Sequence, residues 1–166
     1  MTRESRGGAG PGVRIPPPLI FFAAVVPAWL LERFGPWVAR VPLPQAWRWT
    51  LAGLLVVSGT ALDLWAVGRF ARAGTTLLPF REAQHFVVSG PYRFSRNPMY
   101  LGMTLSLASL AFLLDNIWYL AAAWFAAWVV GRFVIRREER YLEARFGEPY
   151  REYRRAVRRW FGRRVS

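Results

Sequence analysis

The residues best suited to chemistry lie in one short stretch, Ser89–Gly102, which reads SGPYRFSRNPMYLG. It holds Arg93 and Arg96, Tyr92 and Tyr100, and the amide Asn97. Gly90-Pro91 and Asn97-Pro98 interrupt regular structure, and Pro98 suits the first position of a helix, where its missing N–H costs nothing. The stretch is therefore a tight polar loop feeding an apolar run. A basic loop that only signals topology needs its arginines and nothing else. The interleaved aromatics, prolines and glycines point to a binding surface. A second polar group, Glu138-Glu139, lies in RREERYLEARFGEPYREY, residues 136–153. Carboxylates suit ribose hydroxyls or an amine, and an arginine with an amide suits a carboxylate. That inventory fits a zwitterionic nucleoside. It contains no obvious nucleophile or base, so a bound cofactor would have to carry the reactive group.

Composition narrows the chemistry further. The 166 residues include no cysteine, which removes disulfides, thiolate metal sites and cysteine nucleophiles. The one histidine, His85, cannot build a zinc site alone. All 23 basic residues are arginine, so a lysine Schiff base is excluded. The net charge of +13 invites a nucleic-acid reading. Against it, 54% of the residues are hydrophobic, with nine Trp and twelve Phe, and the arginines flank long apolar runs. Arginine so placed contacts anionic lipid headgroups, and no nucleic-acid partner is expected.

The elements that must position these groups are membrane helices. Residues 1–14 are Gly-rich, polar and basic and are expected to be disordered. Ile15–Leu31 is a first apolar run, containing Pro27 as a possible kink and close to the lower limit of about 17 residues for a span. A signal peptide is its rival; no small-residue cleavage site follows, which favours a retained helix. Phe34–Gln45 is a loop, with Trp37 and Trp47 as interface aromatics. Trp47–Val67 is the second span, with Gly53, Ser58 and Gly59 available for close packing. Asp63 lies in its last turns, where an acid marks either a functional site or an ion pair with Arg69 at the interface. Gly68–Asn97 is a polar connector with a short β-like run, Phe86-Val87-Val88. Pro98–Leu114 and Ile117–Ile135 are the third and fourth spans, joined by an Asp115-Asn116 turn. Gly102, Ser106 and Ser109 form a small-residue stripe on the third.

The resulting fold class is all-α: a polytopic membrane protein with about four transmembrane helices, a helical hairpin at 98–135 and an amphipathic helical tail. Tyr150, Tyr153, Val157, Trp160 and Phe161 recur at helical spacing in that tail. The arginine-rich connector and tail place both termini on the cytoplasmic side, with Arg33, Arg40 and Arg48 in the first loop opposing that count.

The hairpin brings the two polar groups together. Asn97 lies 18 residues before Asp115 and Glu138 lies 22 after Asn116. At ~1.5 Å per residue the arms are nearly equal, so Glu138 and Glu139 return level with the Arg93–Tyr100 loop. Tyr92, Arg96, Asn97 and Tyr100 should form one wall of a pocket and the glutamates the other. The tail is placed to close over it.

GPYRFSRNPMYLG, followed by a hairpin and then EERYLEARFGEPYREY, resembles the integral-membrane methyltransferases typified by isoprenylcysteine carboxyl methyltransferase and the phospholipid methyltransferases. The resemblance covers roughly residues 74–161 and divides the chain into 1–14, the N-terminal helices at 15–73, the methyltransferase core at 74–161, and a tail at 162–166. It implies an S-adenosylmethionine-dependent methyltransferase, with the donor entering from the cytosol and a lipophilic or lipid acceptor from the membrane, which would be the bacterial inner membrane. The acceptor atom would belong to a carboxylate, a thiol or an amine. Phe86, Val87, Tyr92, Arg96, Asn97, Pro98, Met99 and Tyr100 would line the cofactor site, with His85 nearby and a carboxylate from Glu138 or Glu139. The prenylcysteine enzymes carry Arg-His-Pro where this chain has Arg96-Asn97-Pro98. Their substrate arginine falls at Val134 here, with Arg132 and Arg136 as the neighbouring candidates for acceptor binding. Two other readings remain: a nicotinamide-dependent membrane reductase of the sterol reductase type, whose helices are similarly arranged, and a non-enzymatic membrane protein.

Overall fold

The computed structural model describes residues 15–35, 37, 39–72 and 87–164. The helices are α1 (Pro17–Phe34), α2 (Gln45–Arg72), α3 (Pro98–Leu113), α4 (Trp118–Val129), α5 (Arg136–Phe146) and α6 (Glu148–Ala156). A single 3-10 turn occupies Gly90–Arg93, and a π-helical segment, Val130–Ile135, joins α4 to α5. Among the described residues there is no β-strand, only an isolated bridge between Val157 and Arg163.

The fourth span does not stop at Ile135. Helix runs unbroken from Trp118 to Phe146, so Glu138 and Glu139 ride on a rigid extension of the span rather than on a flexible tail. α1, α2 and this long helix are long and apolar enough to cross a membrane. α3 is shorter, at 16 residues or ~24 Å by the usual rise, against a hydrocarbon core of ~30 Å. It packs on α2 along one side and on α4 along the other, while α1 lies against α4.

Small residues set the α2–α3 seam. A methyl group added at Gly59 would sit 2.7 Å from the Gly102 carbonyl oxygen, and one at Gly102 would sit 2.7 Å from that of Gly59 and collide with the Asp63 carboxylate. Backbones this close leave no room for a Cβ. Of the expected stripe on α3, Gly102 and Ser109 are buried and Ser106 meets Gly59. On α2 only Gly59 serves the seam. Gly53 faces open space, and Ser58 is exposed, its hydroxyl donating to the Leu55 carbonyl. On the other side of α3, Phe21, Leu107, Ala123, Ala126, Val130, Val134 and Ile135 form the apolar core. Large apolar side chains such as Phe22, Leu54, Val57, Leu64 and Trp124 cover the outside, as lipid-facing helices require.

The hairpin turn is pinned by the first loop. Asp115 takes a left-handed backbone (φ 55°), its Oδ1 accepts from the Val41 N–H at 3.1 Å, and it pairs with Arg48 Nη1 at 2.6 Å. The Ile117 N–H donates to the Ala39 carbonyl at 2.8 Å, and the Tyr119 hydroxyl to Glu32 at 2.9 Å. Arg48, which counts against the topology signal, is thus neutralised by Asp115.

The last segment departs from the expected single helical face. α6 ends at Ala156, and residues 157–164 fold into a tight reversal, with Arg158 N–H donating to the Gly162 carbonyl and Arg164 N–H to that of Ala156. Gly162, at φ 102°, permits the reversal. Tyr150 and Val157 are buried, whereas Phe161 is 71% exposed. Helical spacing predicts a shared face, but backbone pairing with the Phe94–Arg96 segment competes with further helix and prevails.

Candidate functional site

The Ser89–Gly102 loop is held from two directions. At its start, the Arg69 Nε at the end of α2 donates to Ser89 Oγ at 3.2 Å, and Phe70 meets Tyr92 edge-to-face with centroids 5.4 Å apart. Gly90 has φ 63° and lies against the Arg69 side chain, so both its conformation and its closeness demand glycine. At its other end the tail binds the loop backbone. Gly162 N–H donates to the Phe94 carbonyl at 2.7 Å, and Arg96 N–H to that of Arg158 at 3.1 Å. The Tyr153 hydroxyl donates to the Tyr92 carbonyl at 2.8 Å. The Asn97 side-chain amide donates to the Arg159 carbonyl at 3.1 Å, and its backbone N–H to Ser95 Oγ at 3.0 Å. Pro98 then opens α3 at its first turn, fully buried.

Glu138 and Glu139 do arrive level with this loop, but with different surroundings. Glu139 is 7% exposed and ringed by guanidinium groups. Arg159 grips it with both nitrogens, Nε to Oε1 at 3.0 Å and Nη2 to Oε2 at 2.5 Å. Arg96 Nη1 lies 2.8 Å from Oε1 as a charge contact, while Arg96 Nε is buried with no acceptor among the described residues. The carboxylate holds the Arg159 guanidinium above its ordinary pKa. Burial pushes the nearby Tyr150 hydroxyl up to about 12, so it stays protonated at neutral pH.

Glu138 is half-buried and accepts one bond, from the Tyr100 hydroxyl to Oε1 at 2.7 Å. Among the described residues no other hydrogen bond or ion pair reaches it, and its second oxygen is available. Tyr92 completes this side. Its burial first, then the charges of Tyr153, Glu138 and Asp63, hold its hydroxyl well above the ordinary value and keep it a neutral donor. Asp63 belongs to the same neighbourhood: it packs against Gly102 across the α2–α3 seam, and its Oδ1 is buried without a partner among the described residues. The interfacial ion pair with Arg69 is not made; Arg69 turns to Ser89.

The expected wall is therefore assembled from Tyr92, Arg96, Asn97, Pro98 and Tyr100 with Glu138 and Glu139. Val87 and Met99 are half-buried beside it in sequence. Phe86 and His85 lie outside the described residues. Arg132 and Arg136 do not join it. They are exposed and line a separate cleft of about 340 Å³ with Arg159 and three tryptophans, to which neither Tyr100 nor Glu138 contributes. Sequence reasoning missed Arg159 and Tyr153 as partners of the loop. Tyr153 donates to a backbone carbonyl, while Arg159 offers its own carbonyl to Asn97 and shares the Glu139 carboxylate with Arg96, contacts that no spacing rule reports.

This is a helical membrane protein in which polar side chains from a hairpin's two ends meet. Residues 47–149, more than half of the chain, match the family described as phospholipid methyltransferase, and the chain belongs to that family of membrane methyltransferases. It is 33% identical over 121 residues to protein-S-isoprenylcysteine O-methyltransferase B of Arabidopsis thaliana, an alignment covering 69% of this chain and 60% of the plant protein. It is 41% identical over 66 residues to an uncharacterized protein of Haemophilus influenzae, covering 37% of this chain and 98% of that one. No solved structure matches. Tyr153 and Arg159, which bond the loop, lie beyond the family match.

Proposed function

We propose that the protein transfers the methyl group of S-adenosylmethionine to a lipophilic acceptor, at the membrane face where the 89–97 loop meets α5. The observation that carries this reading is the Tyr100–Glu138 pair at 2.7 Å, which leaves one carboxylate oxygen available beside a loop held rigid from both ends. Unengaged polar atoms at a buried or half-buried wall are what a polar ligand would satisfy. The residues present fit the donor. Glu138 would hold ribose hydroxyls or the ammonium. Tyr92 supplies a neutral hydroxyl, and Arg96 and the Asn97 side-chain oxygen would meet the carboxylate and amine end. Val87, Pro98 and Met99 would give the apolar contacts, together with Phe86. Glu139, committed to two arginines, acts at one remove by fixing Arg96.

When bound, the donor supplies a sulfonium methyl group open to direct displacement. The chain contributes alignment, because the loop, α3 and α5 are mutually braced, and dryness, because α6 and the tail cover the loop. A carboxylate acceptor needs no base. An amine or thiol must first lose a proton, and Asp63, whose Oδ1 has no partner among the described residues, would be the carboxylate to receive it. The acceptor would enter laterally from the bilayer, here the bacterial inner membrane, with both termini on the cytoplasmic side.

The test is incubation of the purified protein with methyl-labelled S-adenosylmethionine and a total membrane lipid extract. Label in an extractable lipid supports the reading. An unlabelled extract, with no S-adenosylhomocysteine formed, overturns it.

A further inference from the structure

The cleft beside the fourth helix holds two cations, Arg132 and Arg136, that the loop and the two glutamates do not use. Arg132 lies in the π-helical segment, Arg136 opens α5, and Arg159 comes from the tail; all three line one cleft with Trp124, Trp128 and Trp160. Two separate elements therefore deliver their guanidinium groups to the same place. Trp160 packs over Gly131, its ring 3.6 Å from where a Cβ would stand. Arg159 is neutralised by Glu139. Among the described residues neither Arg132 nor Arg136 has a carboxylate within ion-pair distance; Arg132 lies over the Phe133 ring. Like charges gathered in one cleft repel unless an anion sits among them.

The occupant must also be apolar at one end. Trp124 is 69% and Trp128 51% exposed, and both lie on α4, on the side of the cleft that runs into the bilayer. A soluble anion leaves those rings uncovered. A molecule with a phosphate at the arginine level and acyl chains along α4 satisfies both halves, and interfacial tryptophan marks that depth.

We propose that this cleft seats the headgroup phosphate of an anionic phospholipid from the surrounding bilayer. The site stands apart from the methyl-donor pocket, and it holds or fails independently of the methyltransferase reading. Arg132 and Arg136 provide the unpaired charges, and the three indoles provide the apolar walls.

The experiment is native mass spectrometry of the full chain in detergent, titrated with phosphatidylglycerol, with phosphatidylcholine of the same acyl chains, and with inorganic phosphate. The wild type retains one phosphatidylglycerol molecule and neither of the other two. The Arg132→Gln/Arg136→Gln variant, altered only at exposed positions, binds it about 25-fold more weakly, at roughly a fivefold contribution from each arginine near an anionic surface. Arg151→Gln/Arg155→Gln, which removes the same charge from α6, leaves binding unchanged. Equal retention by the double variant at 132 and 136, equal retention of phosphatidylcholine, or saturation by inorganic phosphate overturns the proposal.

Discussion

Glu138 and Glu139 are neighbours on one helix, yet they sit in opposite kinds of network. Around Glu139 both carboxylate oxygens are taken, by Arg159 and Arg96, and the arginines belong to the tail and the loop. Around Glu138 there is one tyrosine, an open oxygen, and Asp63 in the same neighbourhood with a buried oxygen that nothing among the described residues engages. The first network joins three segments of the chain, and both oxygens of its carboxylate are engaged by them. The second is incomplete. Saturation of the carboxylate separates the two roles: the filled one, Glu139, builds the site, and the unfilled one, Glu138, is where a ligand would complete the bonding.

That contrast can be broken from the structural side first. Glu139→Ala removes the shared anion and leaves Arg96, whose side chain is only 7% exposed, buried without compensation. A loss of about 3–5 kcal/mol is expected, read as a lower thermal midpoint in detergent. Gly102→Ala is next. Its new methyl would meet the Gly59 carbonyl and the Asp63 carboxylate, and forcing the seam apart should cost about 1–3 kcal/mol. Tyr153→Phe deletes the bond to the Tyr92 carbonyl while keeping the ring, at a cost of about 1 kcal/mol. The smallest effect falls on the fully exposed Glu148, which pairs with Arg151 and Arg155 on α6. Those arginines hold its pKa below the ordinary value, yet the pair is screened by solvent. Glu148→Gln should leave the midpoint unchanged.

The meeting of the loop with the two glutamates was legible because it rests on lengths. Two arms of nearly equal residue count, joined by a minimal turn, must return to one level. The division of labour between the glutamates was not legible, because adjacent residues on a helix differ only in the direction each faces. The tail's reversal was equally hidden. It depends on N–H and C=O groups of Phe94, Arg96, Arg158 and Gly162, which every residue carries. Asp63 stood out as an acid inside a span, but its placement against Gly102 needed the α2–α3 register. The first-loop arginines looked like contrary topology charges until Arg48 proved to belong to Asp115. Phospholipid methyltransferase family membership then confirmed what the paired motifs had suggested.

The most direct test of the two-network account is calorimetric titration of S-adenosylhomocysteine into the detergent-purified wild type and Glu138→Gln. The account predicts binding to the wild type and a loss of about tenfold or more in the variant, the contribution of one charge-assisted hydrogen bond, with the thermal midpoint of the apo protein unchanged. Equal affinity in the two proteins would contradict it.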